Sequence, residues 1–290
     1  MLIIYQGLTP SLLIGFRESL EAALIIVIIA VYLRKIGKQR LNRYLYIGTL
    51  GAVVASILLG AVIQIIYGGL GGASAELFEG VASITATVVL TYMIVWMAKN
   101  AQKIKGELQQ KIDIAITKGQ VFGIVTIAFL AVFREGIETV LFLTVSFFSD
   151  PLGSTIGMLI GFALVGVIAF LIMKGTYQLD IGKFFKYTSI VLIIFAAGLI
   201  GYGTHELIEA GETVGLEFGI LGENAFNINP PTNIDGTYPP LHENGVVGSI
   251  LKALIGYDGN PEWLRIIVYV GYWLIMGMYI LRTYRKETAN

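Results

Sequence analysis

Arg17-Glu18-Ser19-Leu20-Glu21 and Arg134-Glu135-Gly136-Ile137-Glu138 set one arginine and two carboxylates inside otherwise apolar stretches. On a helix, positions three and four apart share a face, so Glu18 and Glu21 point the same way and Arg17 reaches Glu21; Arg134, Glu135 and Glu138 repeat the arrangement. With one guanidinium against two carboxylates, each ionised motif carries one negative charge in excess. Two motifs facing each other would leave several oxygens free for a hard multivalent cation such as iron(III), manganese, magnesium or calcium. A copper(I) path would want cysteine or clustered methionine, and the chain has no Cys and seven Met. The absence of Cys also removes disulfides and leaves the redox compartment open. The competing reading is a closed ion-pair network that fixes helix packing, but four carboxylates against two arginines leave acid unmatched.

The elements that must position these groups are membrane helices. Of 290 residues, 56% are hydrophobic and 14% charged, with a mean hydropathy of +0.76, outside the range of an ordinary soluble domain. Apolar runs of about 20 residues, the length that crosses roughly 30 Å of hydrocarbon, lie near 12–33, 45–67, 77–98, 121–148, 155–173, 188–208 and 263–281. The expected fold is therefore an all-α, polytopic protein with seven transmembrane helices. A charge at mid-bilayer costs roughly 2.5–3.5 kcal/mol, so the motif residues must converge on an interior or watery path. Residues 1–16 hold no Lys or Arg ahead of the first span, so an uncleaved first helix is expected.

Lys and Arg set the orientation. Arg34, Lys35, Lys38, Arg40 and Arg43 follow the first span; Lys99, Lys103, Lys105, Lys111 and Lys118 the third; Lys174, Lys183 and Lys186 the fifth; Arg282, Arg285 and Lys286 the seventh. The opposite side has only Lys252 and Arg265 together with most of the acids, among them Asp150, Glu212, Glu217, Glu223, Asp235, Glu243, Asp258 and Glu262. This predicts a plasma-membrane protein with its N-terminus outside and its C-terminus cytoplasmic, and an acidic outer mouth that attracts cations.

The paired motifs each open a set of three spans. Three is odd, so the second set enters from the opposite side, a 3+3 inverted-topology repeat of the kind transporters use. The expected organisation is a first repeat at 1–98, a basic cytoplasmic loop at 99–118 reading as an amphipathic helix on anionic lipid, a second repeat at 119–209, an acidic, proline-rich outer loop at 210–262, and a seventh helix with its tail at 263–290. Glu76 and Glu79 begin the third span and Glu206 and Glu209 end the sixth, so both Glu-x-x-Glu pairs fall on the outer side as a candidate vestibule, with His205 beside them. Acids at a helix start also need no ligand, because the helix dipole favours them. The loop holds Pro230, Pro231, Pro239, Pro240, Pro261 and His242, and residues 245–257 read as a short surface helix. Gly157-x-x-x-Gly161 and Ala82-x-x-x-Ala86 are spaced for close helix packing.

His205-Glu206-Leu207-Ile208-Glu209 differs from the zinc-protease pattern H-E-x-x-H at its last position, where Glu209 replaces the second ligand. No Glu-x-x-His pair suggests a ferritin-like oxidase, and no Ser/His/Asp set or phosphate-binding loop fits. The reading is a transporter with no catalytic residues and no organic cofactor. Its partners are metal ions and the lipid bilayer, with no nucleic acid; a homo-oligomer is compatible. The alternatives are another divalent-cation carrier, for manganese or lead, and a membrane metal sensor or docking subunit for an oxidase.

Two Arg-Glu-x-x-Glu helices in a seven-span chain resemble the high-affinity iron permease family, the oxidase-dependent iron transporters. Arg134–Glu138 differs from the usual R-E-G-L-E only by Ile137, whereas Ser19 stands where the family often has Gly. Glu79-Gly80 followed by an apolar span ending in Trp96-Met97, and Glu206-Leu207-Ile208-Glu209-Ala210-Gly211, are similar to its bacterial and archaeal branch. The resemblance implies that Glu18, Glu21, Glu135 and Glu138 handle iron as the transported substrate, with Arg17 and Arg134 as charge partners. It also implies an extracytoplasmic ferroxidase, cupredoxin-like or haem-peroxidase partner that oxidises ferrous iron before the ferric ion passes inward.

Overall fold

A computed structural model describes residues 7–100, 104–117, 121–174, 181–233 and 237–287. Lys103, Lys118 and Asp235 lie outside the described residues, as do the side chains of Lys99, Lys105, Lys183, Lys186, Arg282, Arg285 and Lys286. Among the described residues the regular structure is all helical, as expected: α1 Leu8–Lys35, α2 Asn42–Gly68, α3 Ala73–Asn100, α4 Ile104–Thr117, α5 Val121–Ser149, α6 Pro151–Met173, α7 Ile181–Thr213, α8 Val246–Ile255 and α9 Trp263–Glu287.

The helix ends follow local chemistry. Pro10 sits in the first turn of α1, where a missing N–H costs nothing. The helix stops at Gly37, whose φ of 72° suits glycine, and Lys38 N–H bonds the Leu33 carbonyl at 2.8 Å to close the end. Asp150 caps α6 through the Gly153 N–H at 2.8 Å, with Pro151 at the first helical position. Its other oxygen takes the Gly7 N–H at 3.0 Å, which ties the starts of α1 and α6 together.

Four helical segments of the described residues are long and apolar enough to cross a membrane: Gln39–Gly68, Ala73–Met97, Pro151–Met173 and Thr188–Thr213, with Trp263–Tyr279 as a shorter apolar helix. The outward side of α2 is almost wholly apolar, through Ile47, Leu50, Ile57, Leu58 and Ile65, and only a bilayer solvates such a surface well. At 28 and 29 residues, α1 and α5 are of similar length, but each interrupts its apolar run with a charged motif.

The chain divides into two compact bodies: Gly7–Ile66 with Met93–Ser189, and the described parts of Tyr67–Tyr92 with Ile190–Asn290. In the first, α1 packs along α6 in the same direction. A Cβ at Gly157 would lie 2.9 Å from Leu12 N and one at Gly161 2.7 Å from the Leu12 carbonyl, so the Gly-x-x-x-Gly spacing lets the backbones meet. Further along, Leu20 and Leu24 pack with Val165 and Met97. α5 runs antiparallel to α1, with Ile124 and Ala128 beside Ile29 and Leu33, and parallel to α2, with Gly48 facing Val125 and Ala128, Ser56 facing Gly136, and Gly60 facing Val140. The expectation that 99–118 rests on lipid changes here. The apolar stripe of α4, Leu108, Ile112 and Ala115, is buried in the core with Leu33, Leu45 and Ile124.

In the second body the first part of α3 runs antiparallel to α7. Gly80 lies against Gly203 and Leu207, and the Thr87 hydroxyl meets the Ala196 carbonyl at 3.4 Å. α9 runs antiparallel to α7 as well, with Arg265 and Tyr269 beside Gly201, and bonds α3 through Tyr272 and Thr91 at 2.9 Å. The acidic loop folds back on the start of α9: Ala225 N–H bonds the Pro261 carbonyl at 2.9 Å, Ile228 N–H the Gly259 carbonyl at 2.8 Å and Trp263 N–H the Glu223 carbonyl at 3.1 Å. The short helix expected at 245–257 is α8.

Candidate metal centre

The charged motif of α1 is sealed. Arg17 is 3% exposed; its guanidinium pairs with Glu18 and with Glu21 at 2.6 Å. On α5, Arg134 Nε stands 3.1 Å from Glu138 and 3.7 Å from Glu135, yet its side chain is 42% exposed. The rest of that guanidinium turns to α3: Nη2 donates to Met93 Sδ at 2.8 Å, and the group stacks over the Trp96 ring at 5.0 Å.

Because α1 and α5 are antiparallel neighbours, the two motifs meet. One carboxylate oxygen from each of Glu18, Glu21 and Glu135 lies within 4.8 Å of the others, and Glu138 is near enough to interact electrostatically with Glu18 and Glu21. All four are buried. Glu18 Oε2, Glu135 Oε2 and Glu138 Oε2 receive no hydrogen bond among the described residues. Like-charged oxygens gathered out of water and left without donors are costly, and a cation offsets that cost. Oxygens on opposite sides of a hard cation sit about 4–5 Å apart, so this separation needs little closing.

Neighbouring helices explain the residue between the acids. A Cβ at Gly136 would come within 2.7 Å of Ser56 Cβ on α2, which forces glycine there. Ser19, the counterpart on α1, has room and donates its hydroxyl to the Gly15 carbonyl at 2.5 Å.

The second body holds the remaining candidates. Glu79 accepts from Tyr67 at 2.7 Å and from Tyr202, whose hydroxyl also lies beside Glu206, so Glu79 and Glu206 are brought together. Glu76 accepts from Thr213 at 3.0 Å. His205, Glu206 and Glu209 each offer a ligand atom within 4.8 Å of the others. Glu262, 2.6 Å from His205 Nδ1, and Arg265, paired with Asp258, join this group. Burial pushes the Glu262 carboxyl up, but the His205 hydrogen bond and the charges of His205 and Arg265 outweigh it and hold the group below the usual carboxylate range. Asp258 is also held low: burial acts against it, and Arg265 with the Asn260 N–H prevails.

The residue pattern alone places Glu262 only among the outer acids and Trp96 only at the end of a span, and it singles out neither Tyr202 nor Met93. Tyr202 shares a helical face with Glu206 and Glu209 and is legible on that basis. Glu262 is far from His205 in sequence, and Trp96 is one more aromatic at a span end.

A model of the iron permease FTR1 family matches residues 8–283. The chain is 39% identical over 280 residues, 97% of each chain, to an uncharacterised protein of Archaeoglobus fulgidus. It is 33% identical over 263 residues, 90% of each chain, to a protein named ferrous iron permease EfeU in Escherichia coli O157:H7. With the protein of that name in Yersinia pestis it shares 33% identity over 281 residues, 96% of this chain and 94% of the relative. No solved structure matches it.

Proposed function

The chain belongs to the iron permease FTR1 family, and from that premise we propose that it imports iron across the cell membrane through the carboxylates of its two Arg-Glu-x-x-Glu motifs. One observation carries this reading: acids from two antiparallel helices converge, buried, with oxygens that no hydrogen bond satisfies. Glu18, Glu21, Glu135 and Glu138 are the translocation ligands. Arg17 and Arg134 limit the excess charge, so the site holds a cation without being a permanent trap. An all-oxygen donor set favours the ferric ion, supplied by an extracytoplasmic oxidase that takes ferrous iron.

Seven spans, as two inverted sets of three and one further helix, fit the packing. α1 and α6 are parallel, α2 and α5 are parallel, and α1/α5, α3/α7 and α7/α9 are antiparallel, as a chain requires whose α1, α2, α3, α5, α6, α7 and α9 cross in turn. The N-terminus is outside. On that topology Glu76, Glu79, Glu206, Glu209 and His205 belong to the outer face, where they collect iron, and rocking of one repeat against the other opens the site inward.

The test is radioactive iron uptake into cells lacking other importers, and into liposomes carrying the purified protein. Glu18→Gln and Glu135→Gln are each expected to abolish uptake while the variants remain in the membrane. Uptake at the parent rate by either variant rejects the ligand assignment. Binding without movement in liposomes rejects transport in favour of a sensor.

A further inference from the structure

We propose that His205 Nε2, Glu206 and Glu209 form a second, chemically different metal site, for a divalent transition-metal ion of the ferrous class, and that Glu262 is its positioning residue. The ligand cluster is compact, each residue offering an atom within 4.8 Å of the others. His205 and Glu209 are one helical turn apart on α7, with Nε2 3.6 Å from Glu209. The other ring nitrogen is already committed, since Nδ1 lies 2.6 Å from Glu262 Oε1. A carboxylate on one imidazole nitrogen fixes the tautomer and aims the other nitrogen, the arrangement that supports histidine ligands in metal sites.

Glu262 is suited to that role. It is 8% exposed, and its second oxygen, Oε2, has no hydrogen bond among the described residues. Its backbone is anchored by the bridge to Asn224 and by the Trp263 N–H on the Glu223 carbonyl. The nearby positive charge of Arg265 is taken up by Asp258, so it does not repel an incoming cation at full strength. The His205 and Glu209 side chains are 36% and 53% exposed, which leaves ions a way in.

The donor set decides the ligand class. Imidazole with two carboxylates and open positions suits iron(II) and its neighbours, whereas magnesium and calcium prefer oxygen alone. The oxygen-only motif site and this nitrogen-bearing site therefore prefer different ions. That the ion is ferrous iron on its way in rests on the import reading above; the existence of the site does not.

The test uses tag-free, full-length protein in lipid nanodiscs titrated with Mn2+, read by electron paramagnetic resonance and by electron spin echo modulation from nitrogen. The parent is expected to show nitrogen coupling from one bound ion, unaffected by excess Mg2+. His205→Ala should abolish the coupling. Glu262→Ala should weaken this site roughly 10–100-fold, and Glu262→Gln, which still accepts the Nδ1 proton through its amide oxygen, should recover part of that loss. Absence of nitrogen coupling in the parent, its survival in His205→Ala, or parent affinity in Glu262→Ala each overturns the proposal. The parent spectrum needs no variant to fold. Glu18→Gln with Glu135→Gln should leave the nitrogen signal intact; if that double variant still transports iron, the import route falls while this site stands.

Discussion

The two Arg-Glu-x-x-Glu motifs are nearly the same in sequence and differ in the fold. Arg17 is sealed between its own acids, while Arg134 is half out, shared between Glu138 and the Met93–Trp96 cradle. Arg134 has contacts outside its own motif, in Met93 and Trp96. Arg17 is surrounded by carboxylates alone, Glu18 and Glu21 of its own motif with Glu135 of the other nearby. The two motifs thus differ in how their arginine is held, a division that identical residue types do not announce.

The sharpest way to break that comparison is to remove each guanidinium in turn. Arg17→Gln strands two buried carboxylates and is expected to cost about 3–5 kcal/mol, seen as a large fall in the thermal midpoint in detergent. Arg134→Gln should cost less than Arg17→Gln, because its guanidinium is only partly enclosed and lies 3.1 and 3.7 Å from its acids, although iron uptake is expected to drop in both. Equal destabilisation by the two changes would erase the distinction.

Asp258 and Arg265 provide a reference pair outside the two motifs. Asp258→Asn is expected to cost about 1–3 kcal/mol at pH 7 by removing the direct ion-pair partner of buried Arg265. The folded Asp258 carboxyl titrates below its unfolded value, so its contribution is complete above about pH 4 and is lost as pH falls through the folded value. Parent and variant should therefore converge in stability as the medium is acidified. A difference that persists unchanged at low pH contradicts the pairing.

Next in size, Gly136→Ala should cost about 1–3 kcal/mol by driving a methyl group into Ser56, with Ser56→Gly restoring most of it. Ser19→Ala, at the equivalent place on α1, should cost less than about 1 kcal/mol, because it removes only a hydroxyl bonded within its own helix. Trp96→Leu should cost about 0.5 kcal/mol from the cation–π contact. A double-mutant cycle should reduce that cost nearly to nothing in the Arg134→Gln background; an undiminished cost would mean that Trp96 only packs.

Much of this was legible before any coordinates. Six charges inside apolar runs cannot face lipid, which makes Arg17, Glu18, Glu21, Arg134, Glu135 and Glu138 candidates on composition alone, and the apolar runs mark their helices. The position of residues 104–117 was less legible. An amphipathic stripe has the same period whether it meets lipid or protein, so only packing showed that Leu108, Ile112 and Ala115 face the core. The link between His205 and Glu262 was hidden by sequence separation, because no local rule connects a residue near the end of α7 with one just before α9.

By itself, the amino-acid sequence determined the chemistry available: an all-helical membrane chain, an excess of buried carboxylate over arginine, and no cysteine. Hydrophobic transfer and charge burial impose those conclusions on any arrangement of the helices. Only the tertiary structure decided which oxygens meet, that Arg134 leans on Trp96 while Arg17 does not, and that Glu262 holds His205. Those depend on where glycines let backbones approach and on which side chains then remain unpaired, properties of the packed helices rather than of any one of them.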